Sequence, residues 1–243
     1  MPQTLNPDRN PDPMPTIRGI SSMATRQVLA DLVAAFGLRS GGTVAIESVG
    51  GVDAAKRVLA GEAFDVVVLA SDAIDKLIAA GRVLADSKVD LVHSGVAVAV
   101  QAGSARLDIA DEDAVRRAVL AARNLSYSTG PSGVALAKLF ERWGIADAVR
   151  SRTVTAPPGV PVGSLVAKGE VALGFQQFSE LINLGGIDVL GPLPPAIQIT
   201  TTFSAGICAT AAPAQADAVR QMLAFMASTD ADEAKRRQGM DPA

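Results

Sequence analysis

The sequence predicts an α/β protein in which a parallel or mixed β-sheet is flanked by helices. Apolar residues make up 49% of the 243 residues and charged residues 19%, which allows a substantial core. Short apolar, β-branched runs alternate with segments whose apolar residues recur every three or four positions, as in sheets covered by helices. The length suffices for one large domain or for two lobes of about 100 to 130 residues each.

Seven runs have the character of strands. The clearest is FDVVVLA at residues 64–70, which is apolar almost throughout and therefore typical of a buried strand. The other predicted strands cover residues 17–20, 43–47, 95–100, 124–128, 171–176 and 197–210.

Helices are predicted between most of these strands. The first carries Leu29, Leu32, Val33 and Phe36 on one face, and Gly37 is expected to end it. Further helices are predicted after residues 50–51, after residues 71–72, at 112–122, after the turn at 130–133, near 162–168 and around 219–226.

Composition and charge exclude several classes of function. The net charge is −3 and the isoelectric point is near 5.2, which argues against a nucleic-acid partner. A single cysteine and a single histidine exclude an internal disulfide and make a Cys/His zinc site unsupported, so no metal and no cofactor are expected. Cys208, in an apolar run, is expected to be a core residue. No apolar stretch is long enough for a membrane span.

The first sixteen residues are predicted to form a flexible tail, because they are rich in Pro, Asn and Asp. They have no basic start, no apolar segment and no small-residue cleavage site. As written, the chain is therefore expected in the cytoplasm. It would be periplasmic if the native start or a signal has been removed.

One pattern recurs where predicted strands end and helices begin. Small hydroxyl or glycine residues stand at 21–22, 48–51, 71–72 and 128–133. In open α/β sheets these points lie at the carboxyl ends of strands, where ligands bind and helix N-termini offer free N–H groups. Each segment taken alone also fits an ordinary helix cap or turn. Together they predict a site for a small anionic ligand.

Five segments carry a resemblance to a known family. They are ISSMATRQVLADLVAAF, SVGGVDAAKRVLAGEAFDVVVLASDAIDKLIAAGRV, YSTGPSGVALAKLFERWGI, GEVALGFQQFSEL and FMASTDADEAKRRQGM. Over residues 17–241 the chain resembles the molybdate-binding proteins of ABC transporters, which are type II periplasmic solute-binding proteins. The resemblance implies two lobes, each a mixed sheet flanked by helices, joined by two crossing strands. Lobe one would comprise residues 17–92 and 200–243, and lobe two residues 93–199.

The same resemblance implies which residues contact the ligand. In lobe one they would be Ser21, Ser22, Ser48, Gly50, Gly51 and Ser71. In lobe two they would be Thr129, Ser132, Val162, Gln176 and Gln177. The molybdate binders carry a tyrosine near the position of Gln177. The two adjacent amides suit a carboxylate at least as well as a tetrahedral oxyanion.

Three alternative functions are compatible with these features and with the resemblance. The first is a monomeric receptor that closes on a small anion, such as molybdate or a polycarboxylate, and presents it to a permease without chemistry. The second is an isomerase of the related aconitate isomerase type, in which His93 would move a proton between two carbons. The third is a ligand sensor that docks on a regulator. Nucleotide-binding, metalloprotease and serine-hydrolase motifs are missing from the sequence.

Overall fold

The computed structural model describes residues 16–157 and 159–243. The predicted tail lies almost wholly outside the described residues. The strands are β1 (Ile17–Ser22), β2 (Val44–Val49), β3 (Val66–Ala70), β4 (Val89–Gln101), β5 (Leu125–Tyr127), β6 (Leu173–Gln177), β7 (Ile187–Pro192), β8 (Thr200–Ile207) and β9 (Asp241–Pro242). The helices are α1 (Arg26–Ser40), α2 (Gly51–Leu59), α3 (Ser71–Ala79), α4 (Glu112–Ala121), α5 (Pro131–Arg142), α6 (Ala146–Arg150), α7 (Val162–Ala167), α8 (Phe178–Leu181), α9 (Pro213–Met226) and α10 (Asp232–Arg237).

The strands form a mixed sheet in the order β2-β1-β3-β8-β4-β6-β5, and β7 and β9 also pair with β4. The pairs β1–β2, β1–β3 and β5–β6 are parallel, whereas β8 is antiparallel to both β3 and β4. Parallel neighbours are joined through helices, which cover the sheet. The predicted mixed α/β fold is confirmed.

One long strand, β4, connects the two ends of this sheet. The first half of β4, residues 89–95, pairs with β8, and its second half, residues 96–101, pairs with β6 and β7. One continuous strand therefore belongs to both parts of the sheet. The lobe boundaries at residues 92/93 and 199/200 stay a prediction.

Separate cores fill the two ends of the fold. Around β1, β3 and β8, one core packs Leu32 and Phe36 of α1 against Phe203 and against Met222 of α9. Around β5 and β6, another packs Phe140 of α5 against its neighbours. Its ring lies 5.9 Å from that of Tyr127, 6.2 Å from Phe175 and 5.8 Å from Trp143. These buried aromatic contacts fix α5 on the sheet.

The structure corrects some predicted boundaries. Gly37 lies inside α1, which ends at Ser40, because the following residue, Gly41, adopts the left-handed conformation (φ 69°) that closes a helix. Strand β7 was not predicted, because the segment IDVLGP mixes half-buried and exposed residues. Cys208 is buried, as expected.

Candidate functional site

Two serines meet where β1 and β2 end. These parallel strands pair in a register that sets Ser21 opposite Ser48. Their hydroxyl oxygens lie 2.8 Å apart, and Ser21 is completely buried. Two predicted site residues separated by 27 positions in the sequence thus share one hydrogen bond.

The glycine turn before α2 closes over the end of β1. A Cβ atom on Gly51 would lie 3.5 Å from the Cβ of Ser22, so Gly51 faces Ser22 and leaves room for no more than a small side chain. Gly50 precedes the helix as its N-cap residue. Within residues 16–157 and 159–243, no side chain caps the N-terminus of α1 or α2. The first N–H groups of α2 therefore remain available to an anion, whereas the N–H of Arg26 at the start of α1 donates to the carbonyl of Met23.

Ser71 lies on the same edge of the sheet, one strand further along. It is the first residue of α3, and the N-cap position belongs to Ala70. No hydrogen bond joins Ser71 to Ser21, Ser22 or Ser48 in the described part of the chain. Ser71 is thus not joined by a hydrogen bond to the pair formed by Ser21 and Ser48.

The loops after β5 and β6 lie side by side, because these strands are parallel and Tyr127 stands opposite Phe175. Between β5 and α5, the Ser128 hydroxyl accepts a hydrogen bond from Gly130 N–H at 3.0 Å. Gly133 is required there, because a Cβ would overlap the carbonyl of Ser128. Ser132 is buried at the start of α5, whereas Thr129 is exposed.

Gln176 is held by hydrogen bonds at both ends of its amide. Gly163 N–H, in the first turn of α7 beside Val162, donates to Gln176 Oε1 at 3.0 Å. Gln176 Nε2 donates to Glu180 Oε1 at 2.8 Å. Burial raises the pKa of the Glu180 carboxyl to about 7, and the hydrogen bond from Gln176 opposes this rise only in part.

Glu180 was not among the residues predicted from the sequence. The signal for it was its spacing, because an acidic residue four positions after Gln176 faces that amide if a helix begins directly after the strand. A carboxyl group with a pKa near neutrality can exchange a proton with a ligand.

Gln177 is almost fully buried, with 4% of its surface exposed. Its Nε2 donates to Thr201 Oγ1 in β8 at 2.9 Å. Its Oε1 has no hydrogen-bond partner among the described residues. Buried amide oxygens are rarely left unpaired, so this atom marks Gln177 as a candidate contact.

A contact between two short turns brings the ends of β1 and β6 together. The turn Met23–Thr25 follows β1, and α8 follows β6. The Ser179 hydroxyl in α8 donates to the carbonyl of Ala24 at 2.9 Å. The segments that carry Ser21–Ser22 and Gln176–Gln177 are therefore neighbours in space, although about 155 residues separate them along the chain.

His93 lies within β4 rather than before the strand. Its Nδ1 is 2.9 Å from Thr202 Oγ1 on β8, and its side chain points to the face opposite that of Ser94, because successive residues of a strand alternate. No hydrogen bond links His93 to the predicted serines or glutamines in the described part of the chain. Its catalytic role stays a prediction.

One charged side chain near the first loops, that of Arg57, is already paired. Arg57 of α2 forms ion pairs with Glu47 at 2.7 Å and with Glu62 at 2.6 Å. The candidate site is thus built mainly from hydroxyls, amides and helix N-termini. Among the described residues, no cluster of His, Cys, Asp and Glu could hold a metal ion. No helix of the described ranges is long and apolar enough to cross a membrane.

Residues 17–241 match the family model of bacterial extracellular solute-binding proteins. The chain belongs to this family. The solute-binding protein is also 37% identical over 187 residues to an aconitate isomerase from a Pseudomonas species, covering 76% of its own length and 70% of that relative.

Solved structures confirm the predicted two-lobed, periplasmic-binding-protein-like fold. The periplasmic molybdate-binding protein of Azotobacter vinelandii superposes with a TM-score of 0.76 at 20% identity, covering 92% of this chain and 98% of the other. The sulfate-binding protein SubI of Mycobacterium tuberculosis also superposes with a TM-score of 0.76, at 18% identity and with coverage of 94% and 87%. At these identities the solved structures establish the shared fold alone.

Proposed function

We propose that this solute-binding protein binds a small polycarboxylate between the loops that end β1 and β2 and the loops that end β5 and β6. The observation that carries the proposal is the meeting of these strand ends. The Ser179–Ala24 hydrogen bond joins the turn after Ser22 to the helix after Gln177, and Gly51 at the uncapped N-terminus of α2 lies beside Ser22. Hydroxyls, amides and helix N-termini hold carboxylates without requiring a net positive charge.

The proposed contacts comprise the predicted set on both sides of the cleft. Ser21, Ser22, Ser48, Gly50 and Gly51 would bind one end of the ligand, and Ser71 would lie at the margin. Ser132, Val162, Gln176 and Gln177 would bind the other end, with Thr129 at the rim.

A polycarboxylate is preferred to a tetrahedral oxyanion because of the relatives of this chain. The relative with 37% identity is an aconitate isomerase, whereas the molybdate- and sulfate-binding proteins share 20% identity or less.

A thermal-shift screen tests the ligand class. The panel contains cis- and trans-aconitate, citrate, succinate, molybdate, tungstate, sulfate and phosphate. A ligand at about 100 times its dissociation constant adds about 2.7 kcal/mol to the free energy of unfolding. We expect a tricarboxylate to raise the melting temperature most. A rise with molybdate or tungstate alone would refute the polycarboxylate assignment.

Turnover of the bound ligand is a second candidate function, favoured by the isomerase relative and by the near-neutral pKa of Glu180. In a 1,3-proton shift, a base takes a proton from the methylene carbon of cis-aconitate. The double bond migrates, and the proton returns to the former vinyl carbon. Glu180 is one candidate base, and His93 is the other. Donors beside the carboxylates would stabilise the dienolate.

Proton NMR of cis-aconitate incubated with the protein tests this reaction. We expect trans-aconitate to appear with the unmodified protein. Glu180→Gln and His93→Ala then identify the base, because the variant that lacks it should lose turnover and keep affinity. A ligand that binds and persists unchanged would leave a carboxylate receptor.

As a receptor, the protein would act as a monomer, present its ligand to a membrane permease and function in the periplasm. As an isomerase, it could act in the cytoplasm. Fractionation of cells that express the natural gene from its own start distinguishes the two locations. Size-exclusion chromatography tests the monomer.

A further inference from the structure

Two buried polar side chains, each with an oxygen that has no hydrogen-bond partner, adjoin one threonine of strand β8. Among residues 16–157 and 159–243, the buried side-chain oxygens without a hydrogen-bond partner are Ser94 Oγ, Ser126 Oγ and Gln177 Oε1. Thr201 stands directly opposite Ser94 in the β4–β8 pair and accepts the hydrogen bond from Gln177 Nε2. Ser94, Thr201 and Gln177 form the hinge polar cluster.

The three side chains share one face of the sheet. Gln177 pairs with Val96, and Ser94 lies two positions before Val96, so both point to the same side. Thr201 points there as well, because directly paired residues of antiparallel strands lie on one face. This is the face against which α5 packs, since Val96 and Phe175 belong to the core around that helix.

The third unpartnered oxygen lies elsewhere. Ser126 pairs with Gly174, and a Cβ on Gly174 would contact Val166 of α7. Ser126 therefore points to the α7 face, away from the hinge polar cluster. It provides a matched control, because it is equally buried and equally unpartnered.

The position of the cluster connects it with the candidate site. Gln177 ends β6 and is followed by α8, whose Ser179 contacts Ala24 beyond the end of β1. Helix α5, whose second residue is the predicted site residue Ser132, also approaches β8. The cluster thus lies on the hinge strands between the two proposed halves of the site.

The chemistry of the unpaired atoms selects the ligand group. An amide oxygen only accepts hydrogen bonds, so Gln177 Oε1 requires a donor. A fully deprotonated oxyanion has none, whereas a hydroxyl or a protonated carboxyl carries one O–H. The Ser94 hydroxyl can accept or donate and therefore suits a neighbouring oxygen of the same ligand.

The geometry points to the hinge polar cluster as the floor of the ligand site, with Gln177 Oε1 accepting a hydrogen bond from an O–H group of the ligand. The inference rests on the proposed anion-binding function and refines its substrate class. The site then prefers hydroxy acids and partly protonated acids over fully deprotonated oxyanions of the same shape. The preference arises because a ligand without an O–H group would leave the buried Gln177 Oε1 without a hydrogen bond, which costs binding free energy.

Isothermal titration calorimetry with matched ligand pairs tests the inference. The pairs differ by one O–H: citrate and tricarballylate, malate and succinate, hydrogen phosphate and sulfate. In every pair that binds the unmodified protein, we expect the O–H member to bind about threefold to tenfold more tightly. Gln177→Met should remove that preference, and Ser94→Ala and Thr201→Val should weaken it.

The experiment includes a control variant, and some of its possible results would overturn the inference. Ser126→Ala should leave both affinities and their ratio unchanged. Each variant is first shown to unfold cooperatively, so that lost binding is not lost structure. Equal binding within every pair, or an unchanged ratio in Gln177→Met, would overturn the inference while leaving the anion-binding proposal intact. Failure of every compound to bind would refute both.

Discussion

Glu180 offers the sharpest test of the site's electrostatics. Its carboxyl accepts a hydrogen bond from Gln176, and burial raises its pKa from an ordinary value of 4.5 to about 7. Ionising the carboxyl is therefore harder in the folded protein than in the unfolded chain. Glu180→Gln replaces it with an isosteric neutral amide whose oxygen can still accept the hydrogen bond from Gln176.

The expected magnitude follows from the raised pKa. One pKa unit corresponds to about 1.4 kcal/mol, so the ionised carboxyl costs about 3 kcal/mol of folding free energy. At acidic pH the group is neutral in both states, and this cost is absent. As the pH rises above 4.5 the unfolded chain ionises first, so stability falls until the pH passes about 7.

Urea denaturation of ligand-free protein across this pH range measures the effect. The stability of Glu180→Gln relative to the unmodified protein should increase with pH by up to about 3 kcal/mol and then level off. Glu141→Gln, at an exposed position of the same half of the fold, is the control and should follow the unmodified protein. If the Glu180→Gln curve runs parallel to that of the unmodified protein at every pH, the carboxyl is not buried as described.

Three further predictions concern packing and the burial of side chains. Gly133→Ala should destabilise the protein by about 1–3 kcal/mol in urea denaturation, because the new Cβ overlaps the carbonyl of the preceding loop. Gly185→Ala, which meets no atom within 4 Å, should be nearly neutral, and equal effects would refute the reasoning. Phe140→Ala should cost about 3–5 kcal/mol by opening a cavity, and Val134→Ala on the exposed face of the same helix should cost far less. Cys208 should resist thiol reagents in the native state, since burial raises its pKa to about 12, and rapid native-state labelling would contradict this.

The local elements of the fold were predictable because their signals are local. The run at residues 64–70 is apolar enough to require burial, and the small residues after the first two strands mark the loops at which helices begin. The observed parallel register of β1 and β2 then sets Ser21 opposite Ser48. Gly37 is an exception, because its presence does not end the helix. A glycine closes a helix where it adopts the left-handed conformation, and Gly41 rather than Gly37 does so here.

What the sequence determined by itself was the α/β class, the order of most strands and helices, and the hydroxyl- and glycine-rich loops. These properties depend on the periodicity and conformational preference of neighbouring residues. Only the tertiary structure decided that Thr201 lies opposite Ser94 and accepts a hydrogen bond from Gln177, and that Glu180 is buried enough to titrate near pH 7. Both depend on contacts between distant segments, and on the solvent those contacts exclude, which no local pattern encodes.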